Sequence, residues 1–151
     1  MKKTILIYNA FTYIISFILS VVGIFTSSFK LETLVLAVLS VLFLIPLYFI
    51  FENKNLKKSL TFLARINLIQ AFSIVVFGLT YKLIIGPDLS LYLINSGDKL
   101  VRFSLKIFNI FSYFNYVKND GTLALGINFI HLLMFVYFHF EVKKIKGNAS
   151  D

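Results

Sequence analysis

Four polar side chains interrupt long apolar runs of the chain and are its most promising residues for chemistry in an apolar interior. Asn67 and Gln70 are three residues apart, as are Asn128 and His131. Residues at this spacing share one face of a helix, so we expect Asn67 and Gln70 to hydrogen-bond to another helix. For Asn128 and His131 two interpretations are open. They form a polar lining or protonation switch, or they make an interhelical hydrogen bond at a packing interface.

The sequence lacks the residues and motifs that other kinds of chemistry require. The chain has no cysteine, which excludes disulfides and thiol chemistry. It has no glycine-rich phosphate loop, H-E-x-x-H motif or serine elbow. Its two histidines, His131 and His139, lie eight residues apart without carboxylates placed to complete a metal site. We therefore expect no catalytic residues, no metal and no cofactor.

Composition indicates the class of protein. The chain is 58% hydrophobic and only 15% charged, with a mean hydropathy of +0.85. An apolar run of about 20 residues is long enough to cross a bilayer as a helix. The sequence predicts an all-α integral membrane protein, a single transmembrane domain over 1–151, with four transmembrane helices at about 4–26, 33–51, 60–85 and 122–140. All seven acidic residues fall in loops or at span ends, which argues against a proton-coupled carrier.

The basic residues predict how the chain is oriented. Thirteen of the 15 are lysine, a bias that suggests a bacterial source. They cluster at the ends of apolar runs, as the positive-inside rule requires, rather than forming a nucleic-acid surface. The prediction is a multi-pass protein of the bacterial inner membrane, N-in and C-in, with a cytoplasmic linker at 52–59 and tail at 141–151. A soluble partner would dock on the cytoplasmic lysines, which are Lys54, Lys57, Lys58, Lys143, Lys144 and Lys146.

The segment 86–121 is predicted to lie outside the bilayer. Lys99, Arg102, Lys106 and Asn109 are spaced three, four and three apart, which aligns them on one side of a helix at 98–118. Apolar residues, Phe108 and Phe111 among them, would occupy the other side. An interfacial or bundle-capping helix is the leading prediction for this segment. A re-entrant or spanning element, or mixed structure, is the alternative, and 89–94 (LSLYLI) alternates briefly like a strand.

This layout resembles the small four-span membrane subunit of the Kiwa antiphage defence system, the KwaA-like proteins. The likeness is one of architecture: a short basic N-terminus, four spans, and an extended segment between the third and fourth. It implies a non-enzymatic, self-associating membrane sensor or scaffold that recruits a soluble effector. Sensing would fall to Lys99, Arg102, Lys106, Phe108 and Phe111. An immunity protein against a pore-forming bacteriocin and a small channel or carrier are the alternatives.

Overall fold

The computed structural model describes residues 3–26, 31–95, 100–117 and 121–147, which form helices and a β-sheet together. The helices are α1 (Lys3–Thr26), α2 (Leu31–Phe51), α3 (Leu56–Ala71) and α4 (Phe129–Gly147). The strands are β1 (Phe72–Val76), β2 (Leu79–Asn95), β3 (Val101–Tyr116) and β4 (Leu123–Asn128). The all-α prediction is therefore wrong, and the protein is a mixed α/β fold.

The first two predicted spans correspond closely to α1 and α2. Both helices are long and apolar enough to cross a membrane, with hydropathies of 2.1 and 2.8 over their most apolar windows. They are the two candidate membrane helices in the described part of the chain, so the prediction of four spans is wrong. Pro46 lies within α2, as expected from its position in the apolar run.

The predicted third span, 60–85, is wrong because it is helical only to Ala71. The residues that follow are mainly β-branched and aromatic, types that favour strands, and they form β1 and the start of β2. Phe77 and Gly78 connect these strands as a two-residue turn with φ values of 48° and 80°. Positive φ at both central residues is typical of tight β-hairpins. Glycine is required at the second position, since a Cβ there would lie 2.0 Å from the Val117 carbonyl oxygen.

The predicted amphipathic helix at 98–118 is also wrong. Its residues from Val101 to Tyr116 form β3, and Lys99 lies outside the described residues. The sequence VRFSLKI (101–107) alternates strictly between apolar and polar side chains, the period of a strand. That alternation and the helical spacing of the basic residues coexist in one segment, and pairing with β2 selects the strand.

The predicted fourth span, 122–140, begins as β4 rather than as a helix. The helix starts only at Phe129, where the Asn128 Oδ1 atom accepts hydrogen bonds from the backbone N–H groups of Ile130 (3.1 Å) and His131 (3.4 Å). A side-chain oxygen in this position satisfies donors that the first helical turn leaves free. The predicted linker at 52–59 is short, since α3 already begins at Leu56, and the tail predicted from 141 is helical as far as Gly147.

The sheet is antiparallel with the strand order β1-β4-β2-β3. Strand β2 pairs with β3 along most of its length, with a register shift between Gly86 and Asp88. Its first residues also pair with β1, and its last residues pair with β4. Because β1 pairs with β4 as well, three strands close on one another and leave β3 as an outer strand.

The core forms where the four helices meet β2. Its most buried apolar side chains include Tyr13, Leu47, Leu63, Ile85 and Phe138, each 2% exposed or less. Strand β1 follows α3 directly and β4 leads directly into α4, so the sheet joins these helices at one end. Lysines mark the opposite end, called the basic end below. They are Lys54, Lys57, Lys58, Lys143 and Lys144.

Candidate functional site

A cluster of buried polar side chains lies where α1, α3 and α4 meet the irregularity in β2. We call it the polar cluster. Each member is 2% exposed or less, and the members are Tyr13, Asn67, Gln70, Asp88, Asn128 and His131. It contains all four polar residues singled out in the apolar runs, together with two more. Buried polar groups are costly unless they are hydrogen-bonded, so their partners determine what the cluster does.

Asn67 and His131 connect α3 to α4. The Asn67 Nδ2 atom donates to the Leu63 carbonyl oxygen one turn earlier (2.9 Å), which leaves its Oδ1 atom as the acceptor. His131 Nδ1 lies 3.0 Å from that oxygen, so Nδ1 carries the proton in this hydrogen bond. The hydrogen bond to another helix that we expected for Asn67 is present. His131 Nε2 is buried and has no hydrogen-bond partner among the described residues.

Gln70 and Asn128 bind the backbone on either side of the β2 irregularity. The Gln70 Oε1 atom accepts a hydrogen bond from the Ile85 N–H (2.8 Å), so this side chain bonds to the sheet and not to another helix. Asn128 Nδ2 donates to the Pro87 carbonyl oxygen at 3.0 Å. Together these bonds attach α3 and α4 to β2 at the point where its register shifts.

Tyr13 brings α1 into the cluster. Its hydroxyl lies beside the Gln70 side chain, but neither it nor Gln70 Nε2 has a hydrogen bond of normal geometry within the described residues. An adjacent contact is also close: a Cβ added at Gly86 would lie 2.9 Å from Thr12 Cγ2, and Gly86 has a φ of 124°. Only glycine suits this position, because L-residues rarely adopt such a φ.

Asp88 is a fully buried carboxylate that sequence inspection missed. It accepts hydrogen bonds from Ser90 Oγ and from Asn109 Nδ2, the latter at 2.7 Å. Lys82 Nζ lies 3.9 Å from its second oxygen and donates to the Tyr92 hydroxyl at 2.5 Å. We expected every acidic residue to lie in a loop or at a span end. The Gly86-Pro87 pair signals a loop, but here it lies within β2 at the register shift with β3, and Asp88 directly after it is buried.

The polar cluster holds a neutral imidazole. Burial lowers the pKa of His131 to about 4, and the nearby Asp88 carboxylate raises it only in part. At neutral pH the ring is therefore uncharged, with Nδ1 donating to Asn67 and Nε2 available as an acceptor. The arrangement thus contains one carboxyl group that is hydrogen-bonded to Ser90 and Asn109 and lies near Lys82, and one histidine that resists protonation.

The other predicted site residues are spread over two surfaces. Lys57 and Lys58 are exposed, and Lys54 Nζ lies 3.7 Å from Glu52. On α4, Lys144 pairs with Glu141 at 2.8 Å and Lys143 lies 5.9 Å from the ring centre of Phe140. The Lys146 side chain lies outside the described residues. The structure thus gathers five of the six predicted docking lysines at the basic end.

The residues predicted for sensing do not form one helical face. Arg102 and Lys106 are exposed on β3, opposite Tyr92 and Asp88 of β2. Phe108 is half-buried on the same strand, and Phe111 belongs to it although its side chain is outside the described residues. Lys99 lies outside them altogether. Arg102 and Lys106 are an even number of residues apart in unbroken register and share one face of the sheet, while Phe108 lies at the register shift and Phe111 follows beyond it.

Within the described residues, no group of three or more histidine, cysteine, aspartate or glutamate side chains is placed to hold a metal ion. Comparison of the chain with protein-family models, with curated proteins and with solved structures found no match.

Proposed function

We propose that the protein is a non-enzymatic scaffold of a bacterial inner membrane, anchored by the α1–α2 hairpin. One observation carries the proposal: α1 is polar inside and apolar outside. Six of its side chains are buried. One is Leu6, and the other five bear a hydroxyl or amide group: Asn9, Thr12, Tyr13, Ser16 and Ser20. Its outward side chains are large and apolar, with exposures from 37% to 84%, and include Ile7, Phe11, Ile14, Phe17, Ile18, Leu19, Val22 and Phe25.

Water would favour the opposite distribution. A helix in an aqueous protein buries its apolar side chains, and contiguous exposed apolar patches of this extent mark a surface that something covers. Only 33% of the most apolar window of α1, and 39% of that of α2, is buried, so neither is a fully enclosed core helix. Hydrocarbon around α1 and α2 accounts for both the apolar exterior and the polar interior.

The contact between α1 and α2 supports the same interpretation. The Ser16 and Ser40 hydroxyls lie 2.9 Å apart, and each serine is fully buried. Ser40 is also within 2.8 Å of the Leu36 carbonyl oxygen. Small hydroxyl residues allow helices in lipid to approach closely and to hydrogen-bond across their interface.

The scaffold function would reside at the basic end, which faces the cytoplasm in this proposal. Lys54 and Lys143 are exposed there and suit an acidic surface on a soluble partner. The buried hydrogen bonds of the polar cluster would fix the basic end relative to the sheet, so that a displacement of the sheet also moves the basic end. Of the layout that resembles the Kiwa membrane subunit, the two N-terminal apolar helices remain, and on that likeness we propose antiphage defence as the process and self-association as part of it.

The membrane anchor can be tested with single cysteines because the natural chain has none. Ile14 and Val38 are 44% and 51% exposed on the isolated chain. We expect I14C and V38C to resist a membrane-impermeant maleimide in both intact and inverted vesicles, whereas K54C reacts in inverted vesicles. If I14C and V38C reacted as fast as K54C, or if the protein left the membrane fraction in alkaline carbonate, the anchor would be refuted.

Partner recruitment needs a separate experiment. The variant K54E/K143E should lose co-purification with a soluble protein encoded beside this chain, while R102E/K106E on β3 serves as the charge-matched control. Plating of phage on cells with and without this chain and its soluble partner then tests the role in antiphage defence. Unchanged co-purification of K54E/K143E would contradict docking at the basic end.

A further inference from the structure

An apolar groove runs between α2 and α3 at the basic end. It has a volume of about 310 Å³, and its walls include Leu42, Ile45, Pro46 and Phe49 from α2 and Phe62 from α3. Lys58 also lines this groove. Pro46 lacks a backbone N–H, so α2 has one hydrogen bond fewer at this wall of the groove.

Two further recesses adjoin this groove. One, of about 370 Å³, is lined by Lys57, Lys58, Thr61, Phe62 and Arg65. The other, of about 480 Å³, is lined almost wholly by apolar side chains of α2, α3 and β2, with Phe62 and Arg65 again in its wall. Phe62 therefore lies at the junction of all three, and the apolar space continues along α3 beneath a basic rim.

The helical repeat explains the basic rim. Lys57, Thr61 and Arg65 follow one another at intervals of four residues, and Lys58 and Phe62 do the same. Residues at this interval form a stripe along one face of a helix, so α3 carries its cations beside its apolar groove residues. No aspartate or glutamate lines these three recesses in the described part of the chain.

We propose that this groove and the basic recess beside it bind an anionic phospholipid, with an acyl chain against the apolar walls of the groove and the phosphate against Lys57, Lys58 and Arg65 of the recess. Charge complementarity distinguishes this occupant, because a neutral lipid would fill the groove without using the cations. A free phosphate would use the cations without filling the groove. The site rests on the proposed membrane anchor. It assigns Lys57 and Lys58 to lipid and leaves Lys54 and Lys143 for a protein partner.

The chain contains no tryptophan, so one introduced residue reports on one place. F62W puts the reporter in the groove, and F11W puts a matched reporter on the outward face of α1, where Phe11 is 59% exposed. Each full-length variant is reconstituted in vesicles containing brominated phosphatidylglycerol or brominated phosphatidylcholine with identical chains. Bromine quenches tryptophan on contact, so the ratio of the two quenching curves measures selectivity for the anionic lipid.

We expect F62W to favour phosphatidylglycerol by about fivefold for each cation that engages the phosphate, the factor that corresponds to one basic residue at an anionic surface. Adding K57Q/K58Q/R65Q should bring the ratio close to one, whereas adding K54Q should leave it unchanged. F11W should be quenched equally by both lipids.

Equal quenching of F62W by both lipids, with F11W also quenched, would overturn the lipid site and leave the anchor intact. Quenching of F11W but not of F62W would also overturn it, because it would show that protein covers the groove. Absence of quenching in both variants would refute the anchor itself. Circular dichroism of the triple glutamine variant checks that it retains the fold.

Discussion

The hydrogen bond between Asn67 and His131 gives the sharpest test of the polar cluster. In N67A the His131 Nδ1 donor, 3.0 Å from Asn67 Oδ1 in the natural chain, loses its acceptor while remaining buried. His131 Nε2 already has no partner among the described residues. The imidazole would then have two unsatisfied nitrogens in the core. A buried polar group that loses its partner costs about 1–3 kcal/mol.

The expected size of the effect can be converted to a temperature. In a chain of this size about 1 kcal/mol shifts the unfolding midpoint by roughly 2–4 °C, so a loss of about 2 kcal/mol lowers it by roughly 4–8 °C. The midpoint is measured by circular dichroism in detergent at pH 7. Asn95 is exposed at the end of β2, so N95A is the matched control and should change stability by less than about 0.5 kcal/mol.

A double-mutant cycle isolates the pair. H131A leaves the Asn67 Oδ1 atom without its partner, so it should also destabilise the protein. The double variant N67A/H131A removes both partners and should cost about 1 kcal/mol less than the sum of the single changes, since neighbouring residues in one network are coupled. If the two single costs added within about 0.5 kcal/mol, the residues would be independent and the bond between α3 and α4 would be refuted.

Three further outcomes follow from the same structure. The free energy of unfolding should fall by roughly 3 kcal/mol as the pH drops from 6.5 to about 4, because the unfolded chain protonates His131 in this pH range and the folded chain does not. H131Q should remove this pH dependence, which is measured as the difference between the unfolding midpoints at pH 7 and 4.5. G126A should lower the free energy of unfolding by about 1–3 kcal/mol, since its Cβ would lie 2.1 Å from Ser73 Oγ and 2.5 Å from the Tyr92 ring. G121A is the control, because a Cβ at Gly121 meets nothing within 4 Å. Equal effects of G126A and G121A would contradict this packing. L63A should lower the free energy of unfolding by about 2–5 kcal/mol, because the Leu63 side chain is 0% exposed and its removal leaves a cavity. L133A, at a position that is 68% exposed, is the control and should show a smaller loss.

The two candidate membrane helices could be predicted because nothing competes with their local signal. Both α1 and α2 are continuous apolar runs without an internal charge, and their observed bounds differ from the predicted ones by at most two residues at either end. Helix formation satisfies every backbone group within such a run, so the tertiary environment has little left to decide.

The region from Phe72 to Asn128 could not be assigned in this way. Hydropathy measures how apolar a run is, and a buried strand is as apolar as a spanning helix. The brief alternation at 89–94 was the one strand signal that we weighed, and the length of the apolar runs and the helical spacing of the basic residues outweighed it. The strict alternation at 101–107 and the turn residue Gly78 between β-branched runs also favour strands, but these signals did not enter the prediction. Strand pairing depends on partners distant in the chain and cannot be judged from one segment.

For the polar cluster, the residue types could be predicted from the sequence but their partners could not. Its residue types stand out in the sequence, and Asn67, Gln70, Asn128 and His131 were recognisable because polar side chains in apolar runs need partners. Their actual partners are a distant side chain and two backbone groups of β2, which no spacing rule can identify. Asp88 was missed because it was predicted to lie in a segment outside the bilayer, whereas pairing with β3 and β4 places its strand in the sheet.

The sequence by itself determined two apolar helices, the lysine clusters at 54–58 and 143–146, and the polar side chains that must be satisfied inside. Those properties are local, because they follow from the residue types within single runs. The tertiary structure alone decided that the middle of the chain is a sheet and that α1, α3 and α4 meet at its register shift. It also decided that Lys57, Lys58 and Arg65 line a recess that adjoins an apolar groove. These are properties of pairing and packing, whose energies come from contacts between residues far apart in the chain.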